Sequence, residues 1–245
     1  MWFDPAAVES IVDALPLWVA FLALVLSYLG SIYVIVPVTV AVYLRGKTKW
    51  AATWPAIVIG AYALFVFLKP LSGIERPGVE SPLADVNLPI VIDQLHHLAI
   101  DFDTESFPSG HAIAATVFYG LLVVDTDIGK WWLRASGAAV MLAGVFFSRV
   151  ALGVHYVGDV VGGAIIGLVF FGLVLWLREE VDNPAEMLLV VPVALAGGAL
   201  LAGRPLDAVG LLVATGGFYL IHTRFGDTLR SRFGAVSPGP NFSEQ

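Results

Sequence analysis

The sequence predicts an all-α fold, a polytopic transmembrane helical bundle of about seven spans (six to seven), and three observations predict it. Of the 245 residues, 58% are hydrophobic and only 13% are charged. Mean hydropathy is +0.84, which makes lipid the main solvent. A hydrocarbon core about 30 Å thick needs roughly 20 apolar residues per helix, and several runs reach that length without an interior charge.

Apolar runs bounded by charge, Pro or Gly place the spans at about 16–44, 50–69, 109–125, 131–151, 155–177, 185–203 and 205–222. The first would extend about 42 Å as one helix, so it is expected to tilt, protrude or bend near Gly30-Ser31. The second is expected to end at Lys69, because the residue before Pro70 is biased out of helix. The last two are joined only through Gly203-Arg204-Pro205, a turn compatible with two full spans or with a shallow re-entrant pair. The long connection 70–107 carries seven acids, and its apolar residues Leu83, Val86, Ile90, Val91, Leu95 and Leu98 suit a short helix on the membrane surface or a loop packed on the bundle. These readings divide the chain into 1–49 (first span and cytoplasmic loop), 50–178 (catalytic helical core with outward loop 70–107), 179–232 (additional C-terminal spans) and a disordered tail, 233–245.

Composition excludes several classes. Without cysteine there is no disulfide, thiolate metal site or cysteine nucleophile. A net charge of −7 with scattered basic residues argues against nucleic acid as a partner. The N-terminus carries Asp4 and Glu9 but no Lys or Arg, unlike a cleaved signal peptide, so the first span is expected to stay. Nine of the thirteen Lys and Arg residues fall on one side of the bundle, which makes that side cytoplasmic. The other side holds Lys69, Arg76, Arg149 and Arg204, so a multi-pass protein of the cell membrane with the acidic loop facing the extracytoplasmic side is expected.

Three of those four outward cations belong to polar segments at span ends: KPLSGIERP (69–77), FPSGH (107–111) and SRVALGVHYVGD (148–159). Taken singly, such cations often snorkel, a lone His is usually structural, and Gly or Ser near a span end packs or caps. Three cations, two histidines and a carboxylate on one face are a different matter, because polar groups at membrane depth are costly and mark function. Lys69 and Arg76 flank a Gly-containing turn that can fold both around a tetrahedral oxyanion, Arg as a fork and Lys as a point charge. Pro108-Ser109-Gly110-His111 opens a span, which offers free N–H groups and the positive helix end to an anion, with no side chain at Gly110 in the way. His155 and Asp159 lie four apart, so on a helix the carboxylate orients the imidazole and leaves its second nitrogen to attack.

These segments resemble the three signature motifs of the type 2 phosphatidic acid phosphatase family, which shares its motifs with vanadium haloperoxidases. Lys69, six residues and Arg76-Pro77 match the first motif; Pro108 to His111 match the second; Ser148-Arg149, His155 and Asp159 keep every interval of the third. The resemblance implies a phosphatase hydrolysing a lipid phosphate or diphosphate (phosphatidic acid-like, polyprenyl diphosphate-like or glycerophosphate lipid) through a phosphohistidine. It makes His155 the nucleophile, Asp159 its orienter and His111 the acid for the leaving group. Lys69, Arg76, Ser109, Gly110 and Arg149 become phosphate-binding residues. No metal and no cofactor are implied, consistent with three cations and a helix end meeting the developing charge. The expected partners are the lipid phosphate substrate and membrane lipids; oligomeric state is left open. A headgroup or phosphoryl transferase using the same site, or a non-catalytic transporter of lipid phosphates, are the alternative readings. The sequence departs from the family layout in having two spans before the second motif and two extra ones at the end.

Other polar residues are read as structural. Adjacent His96 and His97 do not share a helix face, Asp101, Asp103 and Glu105 suit a solvated loop, and His222 suits an interfacial place. Gly158, Gly162, Gly163 and Gly167 give small-residue spacing for close helix packing.

Overall fold

The computed structural model describes residues 2–101 and 104–233, apart from the side chain of Lys49; Asp103 and the expected tail from residue 234 onward lie outside the described residues. Among the described residues the structure is helical, without strands. In chain order the helices are α1 (Pro5–Asp13), α2 (Leu17–Tyr28), α3 (Ile32–Arg45), α4 (Trp54–Ser72), α5 (Ile90–Ile100), α6 (Gly110–Asp125), α7 (Trp131–Ala151), α8 (Val157–Glu180), α9 (Pro184–Met187), α10 (Val190–Leu201) and α11 (Pro205–Arg232), with a 3-10 turn at Lys49–Thr53.

Six segments are long and apolar enough to cross a membrane: Leu17–Arg45, Trp50–Ser72, Trp131–Ala151, Val157–Glu180, Pro184–Leu201 and Pro205–Arg232. The expected seventh, α6, has 16 residues, about 24 Å at the usual helical rise. It need not match the bilayer, because α4, α7 and α8 pack around it and every residue from Ala112 to Tyr119 is buried. The protein is therefore a multi-pass membrane protein built around one short, protein-solvated helix.

The first span bends where expected. α2 stops at Tyr28 and α3 starts at Ile32. Ser31 donates to the Tyr28 carbonyl at 2.7 Å, and the Gly30 backbone lies so close to Val145 that a Cβ there would meet Cγ1 at 2.5 Å. α4, by contrast, does not end at Lys69. It runs through Pro70 to Ser72 and stops at Gly73, whose φ of 60° is left-handed. Pro70 removes only one hydrogen bond in the last turn, and Ser72 Oγ satisfies the Lys69 carbonyl at 2.8 Å. α10 and α11 pack on each other and on α4, each within a segment long enough to span. α11 also outruns its expected end at 222: the extra turns carry Arg230, which sits 5.5 Å over the Tyr43 ring, while His222 Nδ1 lies 3.0 Å from the Tyr43 hydroxyl.

The end of the bundle carrying the 3-10 turn is locked by a buried ion pair. Arg178 donates twice to Asp125, at 2.7 and 2.8 Å, and Trp54 Nε1 donates to the same carboxylate at 2.9 Å. Arg178 also lies 4.4 Å over the Trp50 ring. One carboxylate thus joins α4, α6 and α8. Removing it strands a buried guanidinium, which typically costs about 3–5 kcal/mol. Asp125→Ala should accordingly lower unfolding stability in detergent by that order, measured as the shift in a reversible denaturation midpoint; an unchanged midpoint would show that the pair is not load-sharing.

Candidate active site

All three polar segments meet at the opposite end of the bundle, and a short stretch of the long loop, Thr104–Phe107, holds them together. Lys69 Nζ donates to the Glu105 carbonyl and, at 3.4 Å, to that of Ser106. Ser72 Oγ donates to the Phe107 carbonyl at 2.8 Å, and Ser106 N donates to the Ile74 carbonyl at 2.7 Å. Arg76 reaches both ways: Nε to the Thr104 carbonyl at 3.0 Å, Nη2 to Thr104 Oγ1 at 3.2 Å, and Nη1 to the Val154 carbonyl at 2.7 Å. Carbonyls withdrawn from solvent need donors, and the two cations supply them along this partly buried stretch of loop.

Ser109 is the N-cap of α6; its Oγ accepts from Ala112 N at 3.4 Å and its backbone N donates to the Asp159 carbonyl at 3.1 Å. That contact requires α8 to come close. A Cβ on Gly163 would lie 2.8 Å from the Ser109 carbonyl, and one on Gly167 3.2 Å from that of Ile113. Gly163 and Gly167 thus serve the close helix packing that the sequence indicates, while Gly158 faces Trp2 and Phe3 and Gly162 faces the Phe107 ring.

His155 and Asp159 do pair, with Nδ1 to Oδ2 at 3.1 Å, and both are buried. The route differs from a shared helix face. α8 starts at Val157 with Tyr156 as N-cap, so His155 lies in the preceding turn. Asp159, third residue of the helix, turns its carboxylate back to accept from Tyr156 N at 2.8 Å, and His155 meets it from outside the helix. A carboxylate at this position satisfies the free N–H groups of the first turn. A third donor, Ser106 Oγ, binds the same Oδ2 and stands 3.4 Å from His155 Nδ1. Sequence reading did not single out Ser106; the only cue was its place just ahead of Phe107-Pro108, 53 positions from its partner.

With Nδ1 engaged, Nε2 is the His155 nitrogen left to the cavity it lines. That cavity, about 300 Å³, is also lined by Lys69, Arg76, Gly110 and His111, and runs on to Tyr62, Phe65 and Leu98. Arg149 does not line it. Fully buried, it donates to Ser27 Oγ and, at 3.0 Å, to the Ala99 carbonyl, and both of those residues do line it. Arg149 is thus a positive charge just behind the wall, and the bend of the first span and α5 complete the chamber. Arg204, from the α10–α11 turn, also lines it and pairs with Glu105.

Glu105, read as part of a solvated loop, is instead half-buried, because its carboxylate pairs with Arg204 and its carbonyl with Lys69, whereas the histidines set aside hold structural places. His96 Nε2 lies 2.8 Å from Ser81 Oγ, and burial pushes that imidazole below its ordinary pKa, which favours the neutral form suited to a core hydrogen bond. His97 is exposed and lies 2.8 Å from Asp101.

Fold and site together define a multi-pass membrane protein with a cationic, histidine-bearing pocket near one face. The chain belongs to the PAP2 superfamily, which residues 50–182 match. It is similar to phosphatidylglycerophosphatase B of Bacillus subtilis (strain 168), 35% identical over 86 residues, or 32% of this chain and 41% of that protein; the match spans less than half of that relative's length. It also resembles a solved structure, described as the first transmembrane PAP2 type phosphatidylglycerolphosphate phosphatase from Bacillus subtilis. The TM-score is 0.58 at 25% identity, covering 74% of this chain and 86% of that one.

The turn that presents His155 depends on Gly153, whose φ of 74° is left-handed and whose Cβ would lie 2.9 Å from the Val79 carbonyl. A non-glycine residue in that conformation costs about 1–2 kcal/mol before any clash. Gly153→Ala should therefore lower the unfolding midpoint by at least that order; stability equal to wild type would show that the turn relaxes freely.

Proposed function

We propose that the protein is a membrane phosphatase that removes phosphate from a lipid phosphate or diphosphate by way of a phosphohistidine. The supporting observation is one cavity lined by His155, His111, Lys69 and Arg76, with the His155 ring held on Asp159.

In this reading His155 Nε2 attacks phosphorus while the bond to the leaving oxygen breaks, and His111 gives that oxygen its proton. Lys69 and Arg76, the buried charge of Arg149, and the opening turn of α6 at Gly110, which Ser109 caps, offset charge on the three remaining oxygens. Asp159 accepts from Nδ1 and steadies the positive ring as the N–P bond forms. Water then attacks the phosphohistidine, gives its proton to His111, and leaves as inorganic phosphate with Nε2 restored. These fixed positive groups fill the place a divalent cation takes in other phosphoryl transfers, so no metal enters a step. The aromatic and aliphatic walls at Tyr62, Phe65, Val66 and Leu98 suit a greasy substrate. The similarity to phosphatidylglycerophosphatases favours the glycerophosphate lipid among those candidates.

Purified protein in detergent should release phosphate from one or more of a phosphatidic acid, a phosphatidylglycerophosphate and a polyprenyl diphosphate. EDTA should leave the rate intact and vanadate should inhibit. His155→Ala should fall to background, and Asp159→Asn by about 10⁴, the cost of presenting the wrong tautomer in an analogous set. Ser106→Ala, which removes one of the hydrogen bonds to that carboxylate, should lower kcat about 10- to 100-fold with little change in KM. No release from any lipid phosphate, or full activity of His155→Ala, would overturn the mechanism.

The charge asymmetry favours an extracytoplasmic site. In this cysteine-free chain, Glu80→Cys should react with an impermeant thiol reagent on intact cells and Lys47→Cys should not. The reverse labelling would place the site in the cytoplasm.

A further inference from the structure

We infer that Arg204 is a specificity-determining residue that reads a second phosphoryl group on the substrate, so that the C-terminal helix pair selects which lipid phosphate enters. The inference rests on the phosphatase reading above and deepens it. Arg204 lies outside residues 50–182, the part of the chain that matches the superfamily, yet its side chain lines the same cavity as Lys69, Arg76, His111 and His155. The α10–α11 turn brings it there, and α10 and α11 are anchored against α4, the helix that carries Lys69.

Glu105 fixes the relation between the two cations. Its carbonyl accepts from Lys69 Nζ and its carboxylate pairs with Arg204, so Lys69 and Arg204 are held on one loop residue at neighbouring parts of the cavity. A guanidinium carries five N–H donors in a rigid fork, and the carboxylate leaves several of them for a second acceptor. Lys69 and Arg76 answer the phosphate that reacts; Arg204 is a further cation displaced toward α11. A lipid with one phosphate gives it nothing to bind. A diphosphate, or a phosphomonoester joined through glycerol to a phosphodiester, presents a second phosphoryl group there. Asp207 lines the same part of the cavity and Glu105 pairs with Arg204, so negative charge stands beside the fork and keeps it from being a general anion trap.

The test is the ratio of kcat/KM for a two-phosphoryl substrate to that for a phosphatidic acid, in Arg204→Ala, Arg204→Lys and Glu105→Gln. Arg204→Ala should lower this ratio about 10- to 100-fold, the loss expected for a charge-assisted hydrogen bond, mainly through KM. Arg204→Lys should restore part of it, and Glu105→Gln should retain the preference. Running phosphatidylglycerophosphate and a polyprenyl diphosphate side by side identifies which second phosphoryl group is read. If Arg204→Ala and Glu105→Gln reduce every substrate equally, Arg204 is a strut for the loop and the inference is overturned. Wild-type protein inactive on all lipid phosphates would instead overturn the phosphatase reading itself.

Discussion

The site is organised around a single carboxylate oxygen. Asp159 Oδ2 accepts from Tyr156 N, Ser106 Oγ and His155 Nδ1, which belong to the start of α8, the long loop between α5 and α6 and the turn after α7. In a low-dielectric interior each such bond is stronger than in water, and an unmet partner is correspondingly costly. The same residue's carbonyl holds Ser109 N, which fixes where α6 begins. Moving Asp159 would therefore disturb the imidazole, the loop that binds Lys69 and the helix end that offers its N–H groups. The geometry of the pocket is one connected network rather than a set of independently placed side chains.

That connectedness explains what the sequence disclosed and what it withheld. The spans were legible because hydropathy is a local property, and the three motifs because their spacings lie within short segments. His155 illustrates the limit: a four-residue interval to Asp159 suits a shared helix face, but it suits an N-terminal carboxylate reaching back to the preceding turn equally well, and the latter is found. Ser106 and Arg204 were not legible as site residues, since nothing local ties the one to Asp159 or the other to Glu105. The N-terminal segment was silent for the same reason. Phe3 packs edge-on against Phe107 and Tyr156, with ring centroids at 6.0 and 5.7 Å, and Gly158 N donates to the Trp2 carbonyl at 3.0 Å. Residues read only for their unlikeness to a signal peptide thus buttress both the second and third motifs.

The two ends of the bundle are built differently. At one, Asp125 and Arg178 satisfy each other in a closed pair with Trp54. At the other, cations are spent on loop carbonyls and face an open chamber. Charges that cancel internally fasten helices; Lys69 and Arg76, which donate to neutral loop carbonyls, keep positive charge at the chamber wall, and it is that charge which a dianion would answer.

The brevity of α6 sets a length inside the protein. Its 16 residues begin level with the start of α8, where Ser109 N meets the Asp159 carbonyl, and end at Asp125, which Arg178 of α8 holds. The pocket and the ion pair are thus about 24 Å apart along α6, a separation set by protein packing and indifferent to the lipid around it. A bilayer thicker or thinner than that length has to adapt to the longer outer helices, so its thickness becomes a variable of access to the pocket.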